Sequence, residues 1–175
     1  MAPVDPPGYA ENMIAPPGPA RPTRYDAVLR VPFGALGIVA GETFTSIDFL
    51  RRGFPERPPR SPLAREVCAQ LTAYLSDPRF VFDLPLAPAG SAYQQRVWRA
   101  LRRIPPGRTL RYGELAARLQ SGARAVGGAC RANPVPVIIP CHRVVAQTDI
   151  GGFLGGTSSA RLSIKRWLLA HEGAG

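Results

Sequence analysis

The chain has 175 residues, enough for one domain or two small ones whose core removes roughly two-thirds of the unfolded surface from water. Hydrophobic residues at 45% and charged residues at 19% describe a globular chain, neither disordered nor fibrous. No stretch approaches the ~20 apolar residues of a membrane span, and no basic start followed by an apolar block suggests a secretory leader. Three cysteines, at 68, 130 and 141, form no CxxC pair, which argues against a disulfide framework or a cysteine-rich zinc module. A reducing, cytoplasmic setting away from membranes is expected. The formal net charge of +10 lies wholly in the second half. Residues 1–90 carry nine Arg against nine Asp or Glu, whereas residues 91–175 carry twelve Arg and Lys165 against Glu114, Asp149 and Glu172 alone. That is the footprint of nucleic-acid binding, and taken alone it fits a solvated basic face equally well.

In chain order, residues 1–22 hold seven prolines and little to build a core, so a disordered tail is expected. Strand signals follow at Ala27–Val31, Gly37–Ala40 and Phe44–Phe49, broken by Gly34 and Gly41-Glu42, which predicts a small antiparallel sheet. Leu63, Val67, Leu71, Tyr74 and Leu75 recur at helical spacing up to Pro78, with Cys68 inside the helix as a small apolar residue. This half reads as a scaffold. After a linker over residues 84–90, Ser91-Ala92-Tyr93-Gln94 matches a capping box and starts a helix ended by Pro105-Pro106-Gly107. Thr109 is expected to cap a second short helix through Leu119, and Ser121-Gly122 to turn into a third from Ala123 to Ala132. Two short helices on a tight turn suggest helix-turn-helix geometry. Gly127 and Gly128 leave one face of the third helix nearly bare, at about 1 kcal/mol per glycine. Close approach to a DNA backbone or close packing on another helix would each explain them.

Asn133-Pro134 then precedes an apolar segment, Val135 to Ile139, predicted as a buried strand delivering Pro140-Cys141-His142-Arg143-Val144. A thiol attacks as its thiolate, and a neighbouring His or Arg lowers its pKa from ~8.5. A lone cysteine is more often inert core filling, so the dipeptide alone does not settle the matter. Neighbouring residues of an extended chain point apart, so a relay from His142 to Cys141 would run through water.

From Tyr93 to Gly173 the sequence closely resembles the C-terminal domain of the O6-alkylguanine-DNA alkyltransferases, the methylated-DNA–protein-cysteine methyltransferases. The matching blocks are Tyr93–Trp98, Tyr112–Ala116, Arg124–Ala129, Asn133-Pro134, Pro140–Val144 and Lys165–Gly173, in order over about eighty residues. The resemblance implies an α/β fold: a small antiparallel sheet plus helix on a ribonuclease H-like scaffold over residues 23–88, then a mostly helical domain with a helix-turn-helix over residues 91–175. It implies irreversible, one-shot transfer of the alkyl group of O6-alkylguanine, and of O4-alkylthymine, to Cys141 after the base is flipped out of duplex DNA. By the same carry-over His142 is the general base through water, Glu172 orients it, and Tyr112 donates to guanine N3. Arg124 fills the vacated stack, with Ala125, Gly127, Gly128 and Arg131 along the DNA-facing helix. Asn133 is the hinge, and Pro136, Val144, Phe153 and Leu154 line the pocket, the carbonyls of Cys141 and Val144 receiving the guanine amino group. The implied partner is double-stranded DNA carrying the lesion, bound by a monomer, with cooperativity along DNA left open. No cofactor and no metal are implied.

The sequence departs from the family pattern in three places. The link from Leu119 to Arg124 is about three residues short of the usual turn, Gly152-Phe153 stands where Gly-Tyr is usual, and Thr157 to Ile164 is expected to extend the loop walling the pocket. Three other readings compete. A non-catalytic alkyl-lesion-binding protein would lack the reactive cysteine, a helix-turn-helix alkylation sensor would need a fused activator domain, and a Cys141–His142 hydrolase would need an oxyanion hole.

Overall fold

A computed structural model describes residues 25–174; the Pro-rich segment 1–22 lies outside the described residues. β1 (Ala27–Val31), β2 (Gly34–Ala40) and β3 (Phe44–Leu50) form an antiparallel sheet in the order β1-β2-β3. Gly34 does not break a strand: it opens β2 at a φ of 137°, a value that suits glycine just after the Pro32-Phe33 turn. The sheet packs against α1 (Pro62–Ser76), which begins one residue before the predicted start because Ser61 accepts from the Ala64 amide and Pro62 needs no donor there. Asp77 ends it ahead of Pro78.

The second half holds α2 (Ala92–Leu101), β4 (Leu110–Arg111), α3 (Tyr112–Arg118), α4 (Ala123–Arg131), β5 (Val144–Val145) and α5 (Ser159–His171). The Ser91–Gln94 capping box forms as predicted. Thr109 caps nothing. Leu110 and Arg111 instead pair in parallel with Val144 and Val145, so the helix starts only at Tyr112, where the Glu114 carboxylate accepts from the Arg111 amide at 2.7 Å. That short β4–β5 pairing ties the entry of α3 to the residue that follows Arg143. The expected strand at Val135–Ile139 is likewise a turn. Val137 sits at a φ of 78°, and the Ile139 amide donates to the Val135 carbonyl at 2.9 Å. Two prolines flanking an apolar run read as an extended segment, but Asn133 folds it by donating to the Ile139 carbonyl and accepting from the Val135 amide. Residues Cys141–Arg143 form one turn of 3-10 helix, so Cys141 and His142 are not on extended chain either. The segment expected as an extended loop is mostly helix, since α5 begins at Ser159.

A contiguous apolar core runs through both halves, from Ala27, Leu36 and Phe49 through Val67 and Leu71 to Trp98, Leu101, Ile139 and Leu168. Trp98 is 2% exposed and donates its indole N–H to the Ala129 carbonyl at 2.9 Å, which fixes α4 against α2. The shortened α3–α4 link closes as a Schellman turn: Ser121 N–H donates to Ala116 O, and Gln120 N–H to Ala117 O. Gln120 occupies its left-handed position at a φ of 50°. Tyr93 and Arg96 of α2 brace the same turn, through the Ser121 hydroxyl at 2.7 Å and the Leu119 carbonyl at 2.9 Å. Gln120 is exposed, so Gln120→Gly should relieve the left-handed strain without loss of packing and raise stability by about 0.5 kcal/mol in urea unfolding.

Candidate functional site

Cys141 is 3% exposed at the start of the 3-10 turn that Pro140 leads into. Burial pushes its thiol up to about 11, against the opposing pull of a hydrogen bond with Asn133 and the Lys165 ammonium. At neutral pH the sulfur is therefore a thiol, and its use as a nucleophile requires a base. Cys130 of α4 interacts electrostatically with it and is itself pushed up by burial.

His142 is fully buried, and burial lowers its pKa despite the neighbouring Glu172. The ring is neutral. Its Nε2 lies 2.9 Å from Glu172 Oε1, which as an ionised carboxylate can only accept. Nε2 therefore carries the proton, and Nδ1, buried with no hydrogen-bond partner among the described residues, holds the free lone pair. This is the tautomer of a base.

Glu172, at the C-terminal cap of α5, is where the site is held together. Burial alone would raise its pKa, but hydrogen bonds from His142 and Arg143 and the charge of the Arg143 guanidinium overcome burial and leave it at about 2. Arg143 grips the carboxylate with Nε to Oε2 at 2.9 Å and a terminal nitrogen to Oε1 at 2.8 Å, and its other terminal nitrogen donates to the Ile104 carbonyl. The Tyr74 hydroxyl, from α1 and 98 positions away, donates to Oε1 at 2.8 Å. The sequence offers Arg143 only as a cation near the thiol and Tyr74 only as one of an apolar helical stripe; their hold on Glu172 comes from the fold. Neither Lys165 nor Arg166 pairs with Glu172.

Lys165 is fully buried and donates to the carbonyls of Val144 at 2.7 Å and Gly152 at 2.9 Å; burial lowers its pKa to about 8. It thereby clips the Cys141 turn to the Gly151–Gly156 loop, and one lone pair of the Val144 carbonyl is already used. Its ammonium stands 5.9 Å from the centre of the Tyr112 ring. Tyr112 opens α3, half-buried beside Gly151; burial and the nearby sulfurs of Cys130 and Cys141 raise its pKa, so it keeps its proton.

The remaining predicted residues fall into two groups. Arg131, Asn133, Pro136 and Leu154 share a cleft of about 260 Å³ with Ile47 and Phe49 of β3. Val144 and Phe153 are sealed in the core instead, Phe153 at 5.6 Å from the Phe49 ring. On α4 the buried stripe is Val126, Ala129 and Cys130, while Arg124, Ala125 and Gly128 are exposed. A Cβ added at Gly127 or Gly128 would meet nothing within 4 Å. Packing against another helix is thus not why these glycines are there. Arg124 has no hydrogen-bond or ion-pair partner among the described residues.

Residues 92–174 match the family described as the DNA-binding domain of 6-O-methylguanine DNA methyltransferase. A methylated-DNA–protein-cysteine methyltransferase of Methanosarcina acetivorans is 37% identical over 160 residues, which cover 86% of this chain and 99% of the relative. The chain belongs to the methylated-DNA–protein-cysteine methyltransferase family. A member from Haemophilus influenzae is 38% identical over 151 residues, 81% of this chain and 82% of its own. The crystal structure of Mycobacterium tuberculosis O6-methylguanine methyltransferase superimposes with a TM-score of 0.71 at 31% identity, covering 84% of this chain and 91% of that one. A structure of the same mycobacterial protein in complex with DNA gives 0.69 at 32% identity, over 83% and 90%. An α/β fold with a small antiparallel sheet and helices is thus common to this chain and its methyltransferase relatives. Among the described residues no helix is long and apolar enough to cross a membrane, and no cluster of His, Cys, Asp and Glu could hold a metal ion.

The carboxylate of Glu172 also sets an acid limit on this methyltransferase fold. Its pKa is depressed from 4.5 to about 2, so it contributes stability that is present above pH 4.5 and lost as pH falls toward 2. Glu172→Gln should flatten the stability profile across that window. Near neutral pH the same change should cost on the order of 3 kcal/mol, because Arg143 is left buried without its counter-charge. Urea midpoints of both proteins against pH check both statements.

Proposed function

We propose that this chain repairs DNA by direct reversal, moving the alkyl group of O6-alkylguanine to Cys141 in a single irreversible event. The observation that carries this reading is the His142 ring: Nε2–H on an ionised Glu172, and a buried, unpartnered Nδ1 lone pair on the residue after a thiol that burial keeps protonated. In the proposed step His142 Nδ1 accepts the Cys141 proton through a bridging water. The sulfur forms a bond to the alkyl carbon as the bond from that carbon to O6 breaks in line, and the electron pair leaves with the base. The base leaves as an anion and takes up one proton from water while the proton held on His142 returns to solvent, so guanine gains one proton for the one the thiol loses. Tyr112, whose hydroxyl stays protonated, donates to N3 and eases departure of the base. The products are restored guanine and S-alkylcysteine, and nothing in the site would remove the alkyl group again. The same geometry would accept O4-alkylthymine.

The basic second half supports duplex DNA as partner, with α3 and α4 acting as a helix-turn-helix and the bare α4 face toward the backbone. Residues 91–175 would then bind DNA and transfer the alkyl group, while residues 23–88, read as a ribonuclease H-like scaffold, would support them. Arg124, exposed near the start of α4 and without a partner among the described residues, would fill the stack left by the flipped base. Asn133, at the exit of α4, would hold the hinge to the Cys141 turn through its two backbone hydrogen bonds. No cofactor enters, and a monomer suffices.

Two experiments test this reading. Incubation with a duplex containing one O6-methylguanine should add the mass of a single CH₂ to the protein, and none to Cys141→Ser. Retained lesion binding without any mass change would instead favour a non-catalytic lesion-recognition protein. Gly128→Ala separates fold from function: it should stabilise the helix by about 0.5–1 kcal/mol, since the added methyl meets no protein atom. The same methyl should weaken duplex binding several-fold at fixed salt, read by fluorescence anisotropy.

A further inference from the structure

Glu172 Oε1 takes three donors at once: His142 Nε2 at 2.9 Å, an Arg143 terminal nitrogen at 2.8 Å and the Tyr74 hydroxyl at 2.8 Å. Two of them come from the turn that carries Cys141. The third comes from the middle of the N-terminal half, and Tyr74 is completely buried. Its hydroxyl cannot exchange this partner for water. Its ring is fixed on both sides, with the Phe82 ring at 5.5 Å and the His171 ring at 5.3 Å edge-on, and its carbonyl meets His171 Nε2 at 2.9 Å. A carboxylate gripped by Arg143 alone could still swing about that fork; a rigid hydroxyl from a separate element removes the freedom.

We propose that Tyr74 is a positioning residue for alkyl transfer, its hydroxyl fixing the Glu172 carboxylate so that His142 stays in the tautomer and orientation that leave Nδ1 free to take the Cys141 proton. This rests on the reading of His142 as the base. The hydroxyl also competes for the negative charge on Oε1 and so moderates how strongly Glu172 draws protons onto His142. The other charged or titratable groups around this ring are Arg143, Lys165, Cys141 and, behind Tyr74, His171. None of them supplies a second neutral donor to the carboxylate. The N-terminal half on this account holds the proton relay in register, beyond supporting it as a scaffold.

The test compares the full chain with Tyr74→Phe, which keeps the ring packing and deletes one hydroxyl. Single-turnover methyl transfer from an O6-methylguanine duplex is followed by mass against pH, alongside duplex affinity and the thermal midpoint. The plateau rate should fall about tenfold while duplex affinity stays within about twofold. The acid limb should move to higher pH, because Glu172, relieved of one donor, holds a proton on His142 more firmly. A wild-type rate and an unmoved limb in a folded Tyr74→Phe protein would overturn the inference, as would a slowing that merely tracks the unfolded fraction. Should Tyr74→Phe not fold, 3-fluorotyrosine placed at position 74 decides. Its hydroxyl is the stronger donor, so the acid limb should move to lower pH, and an unmoved limb overturns the inference. Failure of the wild-type chain to gain the methyl group at all would refute the proposed function and this inference with it, and is distinguishable because it precedes any substitution.

Discussion

A single ionised carboxylate organises this molecule. Glu172 is sealed from solvent, yet it stays charged because four hydrogen bonds from Tyr74, His142 and Arg143 occupy its two oxygens. The donors arrive from two parts of the chain: α1 of the first half, and the turn bearing the thiol, which supplies both the His142 ring and a guanidinium that also reaches Ile104 just beyond α2. Removing the charge would strand a buried cation; removing a donor would leave a buried lone pair. The position of His142, and with it the protonation pattern next to Cys141, follows from satisfying that one group.

Lys165 plays a parallel part on the opposite side of the turn. Its ammonium replaces water with two backbone carbonyls, Val144 and Gly152, and so joins the segment after the thiol to the loop beyond it. Burial works against the charge, which is why the group sits near 8 rather than at its ordinary value. The thiol therefore lies between an anion that orients its neighbouring ring and a cation that lowers the cost of a developing sulfur charge. Neither ion touches solvent, so neither is screened by salt as a surface pair would be.

How much of this was legible beforehand varied with the range of the interaction. The helices α2 and α4 were readable because their limits are local, Ser91 capping the one and Asn133-Pro134 stopping the other; α1 was readable from its apolar spacing and Pro78, though its Ser61 cap was not. The β4 pairing was not, since Leu110-Arg111 gains its strand character only from Val144-Val145, far along the chain. The Val135–Ile139 turn defeated periodicity because a β-branched residue in left-handed backbone is a poor prior, overridden by the side chain of Asn133. Cys141, His142 and Glu172 stood out through their motif. Tyr74 could not, because from sequence alone a tyrosine at helical spacing among Val67 and Leu71 looks like packing, and only the folded chain brings it to Glu172. Gly127 and Gly128 left two explanations open, and the fold removes one of them, since a Cβ at either position meets nothing within 4 Å.

The burial of Cys141 bears on how long the protein lasts as well as on how it reacts. With the thiol pushed up to about 11, the sulfur rests as the thiol and not the thiolate at neutral pH. Peroxide, disulfides and stray electrophiles all consume the thiolate, so this sulfur is hidden from them both sterically and chemically. A reagent that can be spent once has more need of shelf life than of speed at rest. On the proposed transfer to Cys141, a sulfur that stays dormant until substrate enters its pocket would leave a store of unspent molecules, each still able to meet a lesion formed long after it was made.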